Sequence, residues 1–239
     1  MSKKIIEWIP KDEKTHNIVP KPKPARDYLP EWYKNLPAAK RHKDPKHGIK
    51  EHGRLKDCMP FLDAMTTGYI QESWQDVHVI FEADENGQYG CTVDTPIESS
   101  IMEGRRSMQA PVPAGFYPWE FSCTIPWLPK TPNGWSAMIG PVMNRFDLPW
   151  QTMYGIIDSD EFYHWHGKIP LFVKKTDIDE ILIPAGTPLY QITPFFRENW
   201  KSFSEEEFNQ KQAEKRTWLY KKTFNYFYVK NMWKKKNYE

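Results

Sequence analysis

No stretch of this 239-residue chain approaches the roughly 18 consecutive apolar residues that a membrane-crossing helix needs. Its start, MSKKIIEWIPKDEK, lacks an apolar segment of signal-peptide length, so the sequence predicts a protein neither anchored in a membrane nor secreted by that route. Cysteine is scarce. Cys58, Cys91 and Cys123 are widely spaced, form no CxxC pair and leave one thiol over from any disulfide. Buried free thiols in a reducing compartment are the expectation. Several familiar motifs are missing as well: GxxxxGK[ST], GxGxxG, GxSxG, HExxH and cysteine zinc knuckles. Without them the sequence offers no support for P-loop, dinucleotide, α/β-hydrolase or zincin chemistry.

Proline and aromatic residues are plentiful. Twenty-one prolines argue against long helices over most of the chain, and a 15% aromatic share lets rings build much of the core. Net charge is only +2, but it is segregated. Residues 1–57 carry 15 Lys/Arg against 8 Asp/Glu, residues 58–200 carry 8 against 18, and residues 201–239 carry 10 against 5. An acidic body between two basic arms predicts arms that fold back on the body or reach a neighbouring subunit. The arms' bases are interspersed with acids and prolines, apart from Lys234-Lys235-Lys236, which disfavours nucleic acid as the partner.

Residues 1–57 read as an extended Pro-rich arm, with prolines at 20, 22, 24, 30 and 37. Ile5, Ile6, Trp8 and Ile9 suit one strand at a sheet edge, and Glu31 to Asn35 a short helix burying Trp32 and Tyr33. The polar stretch AKRHKDPKHGIKEHGRLK reads as a solvated loop. A helix is predicted from Met59, with Pro60 at its start and Gly68 as its stop. Val77 to Phe81 and Gln88 to Val93 form a hairpin around Glu85-Asn86-Gly87. Further strands are predicted at Trp119 to Ile125, Trp135 to Ile139, Tyr154 to Ile157, Ile169 to Val173, Glu180 to Ile183 and Leu189 to Thr193. Short strands separated by Pro and Gly indicate a mainly β body over 58–200, an antiparallel barrel or sandwich of β-clip or jelly-roll type. In 201–239, Ser204 and Glu207 form a capping box that predicts a helix from Ser204 to about Lys222. The aromatic and basic tail beyond it needs a surface to cover its rings.

Four features could carry chemistry. Asp158, Asp160 and Glu161 crowd three carboxylates after a strand; crowding raises carboxylate pKa values and could leave Asp158 as a general base. The same residues are common turn formers, and spacing alone favours the turn. Asn144 and Arg145 follow Pro141 between two strands, where Arg145 could clamp a phosphate or carboxylate or pair with Asp147. Gln191 sits in a strand among apolar neighbours, so its amide needs a ligand, backbone or loop partner. His164-x-His166 would place two imidazoles on one side of a strand for a metal, as in cupin barrels, with His78, Glu161 or Asp160 as a third ligand. An aromatic loop is the competing reading of FYHWHG.

GIIDSDEF followed by IPAGTPLYQITPF resembles the trimeric dUTPase and dCTP deaminase superfamily, the β-clip fold, over residues 130–197. The resemblance implies that Asp158 matches the water-activating aspartate, with Mg²⁺ carried by a bound triphosphate. The chain departs from the pattern at Glu161, where the family has a tyrosine under the deoxyribose, and at Val142-Met143-Asn144, which replace phosphate-binding serines. The early Gly-Tyr-Asp-Leu motif and the glycine-rich C-terminal arm are absent. LPEWYKNLP, CMPFLDAMTTGYI and TPNGWSAMIGPVMNRFDLPWQTMYGIIDSD are also similar to a family encoded by tailed marine phages, with bacterial relatives. That similarity implies a viral protein acting in the host cytoplasm or the virion, and brings no activity. The expectation is a non-enzymatic binding or assembly module, partnered by itself or by other phage proteins and needing no cofactor. The alternatives are a dUTPase-like enzyme using Asp158 and a cupin-like metal enzyme using His164 and His166. The dUTPase-like reading requires Asp158, Asn144, Arg145 and Gln191 to converge on one cleft.

Overall fold

The computed structural model describes residues 5–37, 41–44, 48–51, 55–96, 101–105, 110–164, 167–204, 209–223 and 228–239. The fold is mainly β, with 35% strand and 20% helix. The N-terminal region supplies β1 (Glu7–Pro10), α1 (Glu13–Ile18), β2 (Lys23–Pro24), α2 (Glu31–Lys34), β3 (Arg41–Asp44), β4 (Gly48–Glu51) and α3 (Met59–Thr66). Then come β5 (Tyr69–Glu72), β6 (Val77–Ala83), β7 (Tyr89–Asp94), β8 (Met102–Arg105), β9 (Glu120–Thr124) and β10 (Trp127–Lys130). They are followed by β11 (Trp135–Gly140), β12 (Trp150–Thr152), β13 (Gly155–Ile157), β14 (Lys168–Val173), β15 (Glu180–Ile183), β16 (Pro188–Phe196) and α4 (Gln210–Thr223).

All strand pairs are antiparallel. A five-stranded sheet runs β13-β11-β16-β5-β2 and a four-stranded one β12-β14-β9-β8, with β15-β6-β7 beside them. Among the described residues no sheet closes into a barrel. The three sheets share one core, to which β6 gives Val77, Val79 and Phe81, β9 Phe121 and Cys123, β14 Leu171 and Val173, and β16 Leu189 and Ile192. Strand β6 alternates buried and half-buried residues as a one-sided strand should, whereas β9 is buried at all five positions because both of its faces are covered. Each fully buried aliphatic or Phe side chain contributes about 1.5–3 kcal/mol.

Helix α3 has Pro60 in its first turn and stops where Gly68 takes a φ of +67°. A side chain there is excluded twice over, since a Cβ would also lie 2.1 Å from the Ile192 carbonyl oxygen. This close approach lays the end of α3 on β16.

The N-terminal arm folds onto its own body. β1 pairs with β10, the Trp127 indole donates to the Val19 carbonyl at 3.0 Å, and Lys23 meets Glu72 at 2.6 Å. Tyr33 of α2 is buried and stacks on Phe61. At the other end Trp233 and Lys236 both donate to Asp63, while Tyr238 packs edge-on against Tyr69 with its hydroxyl 2.8 Å from Thr67 Oγ1. Phe224, Tyr226 and Phe227, also expected to need cover, lie outside the described residues.

Two expectations change. The polar stretch after Pro37 contains the β3–β4 hairpin rather than only loop, because backbone pairing satisfies amides and carbonyls whatever the side chains are. The C-terminal helix begins at Gln210, not Ser204: the Asn209 side chain accepts the Gln212 amide at 3.0 Å and supplies the cap. Glu207 of the expected capping box lies outside the described residues.

Candidate functional site

The chain leaves β13 into the acidic cluster, which folds as a turn. The Asp158 carbonyl accepts the amides of Glu161 at 3.0 Å and Phe162 at 2.7 Å. Ser159 is fully buried, with its hydroxyl 2.7 Å from Thr131 Oγ1. Asp160 accepts the Gly134 amide at 2.8 Å and takes both guanidinium nitrogens Nη1 and Nη2 of Arg197, the first residue beyond β16. Asp158 accepts from Ser136 Oγ at 2.8 Å and from Arg197 Nη1 at 3.1 Å. Crowding therefore does not raise the Asp160 carboxyl: its hydrogen bonds from Arg197, helped by the Gly134 amide, bring it down to about 2. Asp160 is nearly enclosed at 3% side-chain exposure, whereas the Asp158 side chain is 63% exposed. Arg197, absent from the residues picked out by sequence, is the organiser of the turn. Its guanidinium is also committed to the Trp135 carbonyl and Ser136 Oγ, both at 3.0 Å.

A second group forms at the other end of β11. Gln191 lies opposite Gly140, and its side chain accepts the Met143 amide at 2.9 Å while donating to the carbonyls of Ala64 at 3.0 Å and Thr67 at 2.6 Å. It therefore binds the loop after β11 to the end of α3. Asn144 takes a left-handed φ of 60°, which asparagine tolerates better than most residues, and its amide donates to the Phe61 carbonyl at 3.3 Å. Arg145 forms a fork with Asp147, with Nε and Nη2 both 2.8 Å from carboxylate oxygens, and its Nη1 donates to the Tyr28 carbonyl at 3.1 Å. The Arg145 pairing holds the Asp147 carboxyl low despite burial that pushes it up.

Asn144 and Arg145 line a cavity of about 320 Å³ between this loop, β12 and the end of β14. Gln191 stands behind its wall. Asp158 does not join them: it adjoins Ser136, five residues along β11 from Pro141, or about 16 Å at roughly 3.3 Å per residue. Comparison with known protein families, curated proteins and solved structures returns no match.

Of the histidine pair, His164 lies 3.9 Å from Tyr163 ring to ring, and His166 lies outside the described residues. Of the three candidate third ligands, His78 is engaged with Glu180 at 2.5 Å and Asp160 with Arg197, while Glu161 contributes its backbone amide to the turn. Among the described residues no three His, Cys, Asp or Glu side chains gather around a common point, and no helix is long and apolar enough to cross a membrane.

Proposed function

We propose that the chain is a non-enzymatic binding or assembly module of the phage family that its sequence resembles, built on a β-clip or jelly-roll type body. The observation that carries the reading is the separation of the candidate catalytic groups, each bonded to structural partners of its own. Asp158 is bound by Ser136 and Arg197, Arg145 is closed on Asp147 and the Tyr28 carbonyl, and about 16 Å of strand separates the two sets. A nucleotide hydrolase needs its base and phosphate clamp around one reacting centre. The all-antiparallel pairing and the core shared by the main sheets support the fold type. Large exposed side chains beyond β16, Trp200 and Phe203 at 87% each, support a partner or a second copy of the chain.

Light scattering on the eluted size-exclusion peak at micromolar concentration tests assembly, with an oligomer expected and a clean monomer overturning it. A deoxynucleoside triphosphate panel with Mg²⁺ tests the absence of chemistry. Hydrolysis that disappears in Asp158→Ala, with the fold intact, would restore the dUTPase-like reading.

A further inference from the structure

We propose that the cavity beside Asn144 and Arg145 is a binding site for a small molecule consisting of a flat ring and one anionic group. This deepens the binding half of the proposed function and does not depend on assembly. Three observations support it.

The first is charge. No carboxylate lines the cavity among the described residues, although the surrounding body, residues 58–200, is acidic with 18 Asp/Glu against 8 Lys/Arg. Lys174 lines it and has no acidic partner among the described residues; its ammonium donates only to the Phe146 carbonyl, at 2.8 Å. Two of its three donors remain for an anion. Arg145 adds a second cation, already neutralised by Asp147, so a ligand with one negative charge is the match.

The second is the apolar wall. Leu148, Trp150 and Leu189 are buried, whereas the rings of Phe146 and Tyr154 are exposed at 77% and 60% and can close over a flat ligand.

The third is size: at about 320 Å³ the cavity holds a single ring with its substituents.

The test uses 4-hydroxybenzoate, benzoate, 4-hydroxybenzamide and phenyl phosphate as probes, titrated into the full chain by calorimetry and saturation-transfer NMR. Saturable binding of 4-hydroxybenzoate is expected, about tenfold tighter than the neutral amide, with that advantage lost in Lys174→Met. Phenyl phosphate binding better than 4-hydroxybenzoate would assign the anion as phosphate rather than carboxylate, within the same site. No saturable binding of either anion to the folded wild type, or binding unchanged in Lys174→Met, overturns the proposal. The light-scattering result separates this failure from that of the assembly reading. An oligomer that binds no probe loses only the cavity, and a monomer that binds the probes loses only assembly.

Discussion

Replacing Gln191 by Leu should loosen the loop after β11 from the rest of the molecule. The substitution keeps a similar volume in a side chain that is 2% exposed, so little cavity cost enters. It does remove the acceptor of the Met143 amide and the donor to the Ala64 and Thr67 carbonyls. A buried donor or acceptor left without a partner costs about 1–3 kcal/mol. The amide has no alternative, whereas each carbonyl keeps a second lone pair for other donors, so the total should be about 2–5 kcal/mol. For a chain of this length that lowers the melting temperature by roughly 5–15 °C. In urea, followed by tryptophan fluorescence, the midpoint should fall with the slope unchanged, because the same surface is exposed on unfolding. Hydrogen exchange should accelerate first in the segment from Pro141 to Asp147 and in the last turn of α3, the two pieces that Gln191 joins. Gln191→Glu should be no milder. It keeps an acceptor for Met143 but turns a negative charge toward two carbonyls, so its defect should shrink as the pH falls and the buried carboxyl protonates. A loss below about 0.5 kcal/mol in Gln191→Leu would mean that the three hydrogen bonds are replaceable and that the loop is held by something else.

Two further perturbations have equally definite signs. Asp160 has its folded-state pKa depressed to about 2 by Arg197, so its contribution to stability is present above about pH 4 and is lost as the pH falls through about 2. Wild type should therefore melt above Asp160→Asn at pH 7, with the gap closing between pH 4 and 2; a gap that does not change with pH would remove the ion pair as its cause. Burial pushes the Cys123 thiol up to about 12 and the Cys91 thiol to about 11. Neither should react with iodoacetamide at pH 8 until urea is added, and rapid native alkylation of Cys123, read by peptide mass spectrometry, would contradict the packing of β9.

The acidic turn and Gln191 show how far local reasoning reaches. Asp-Ser-Asp after a strand was legible as a turn because the groups that close it lie within four residues of Asp158. Arg197 was not, since it meets Asp160 only through the register of β11, which pairs with both β13 and β16 and so brings together residues 37 apart in sequence. In the same way a buried glutamine among apolar neighbours announces that its amide has partners, but their identity depends on where α3 comes to rest against β16. Strand β9 was legible as a strand but its burial was not: EFSCT alternates polar and apolar residues, and the structure covers both faces.

The cavity follows from the same distinction between local and distant causes. Asn144 and Arg145 stood out because they are polar residues in a short loop between strands, the usual place for ligand-binding groups. Their visible donors are spent in holding that loop against Phe61, Tyr28 and Asp147. Lys174, which retains bonding capacity, occupies the end of a strand, where a lysine reads as solvated. The pairing of β12 with β14 brings it to the cavity. The loop thus acts as a frame, braced by Gln191 from behind and by the N-terminal arm in front, and recognition falls to Lys174, whose bonds the fold leaves open. Anything that slackens the frame should weaken binding without touching a ligand. Gln191→Leu is therefore expected to lower the affinity for 4-hydroxybenzoate even at temperatures where the protein is fully folded.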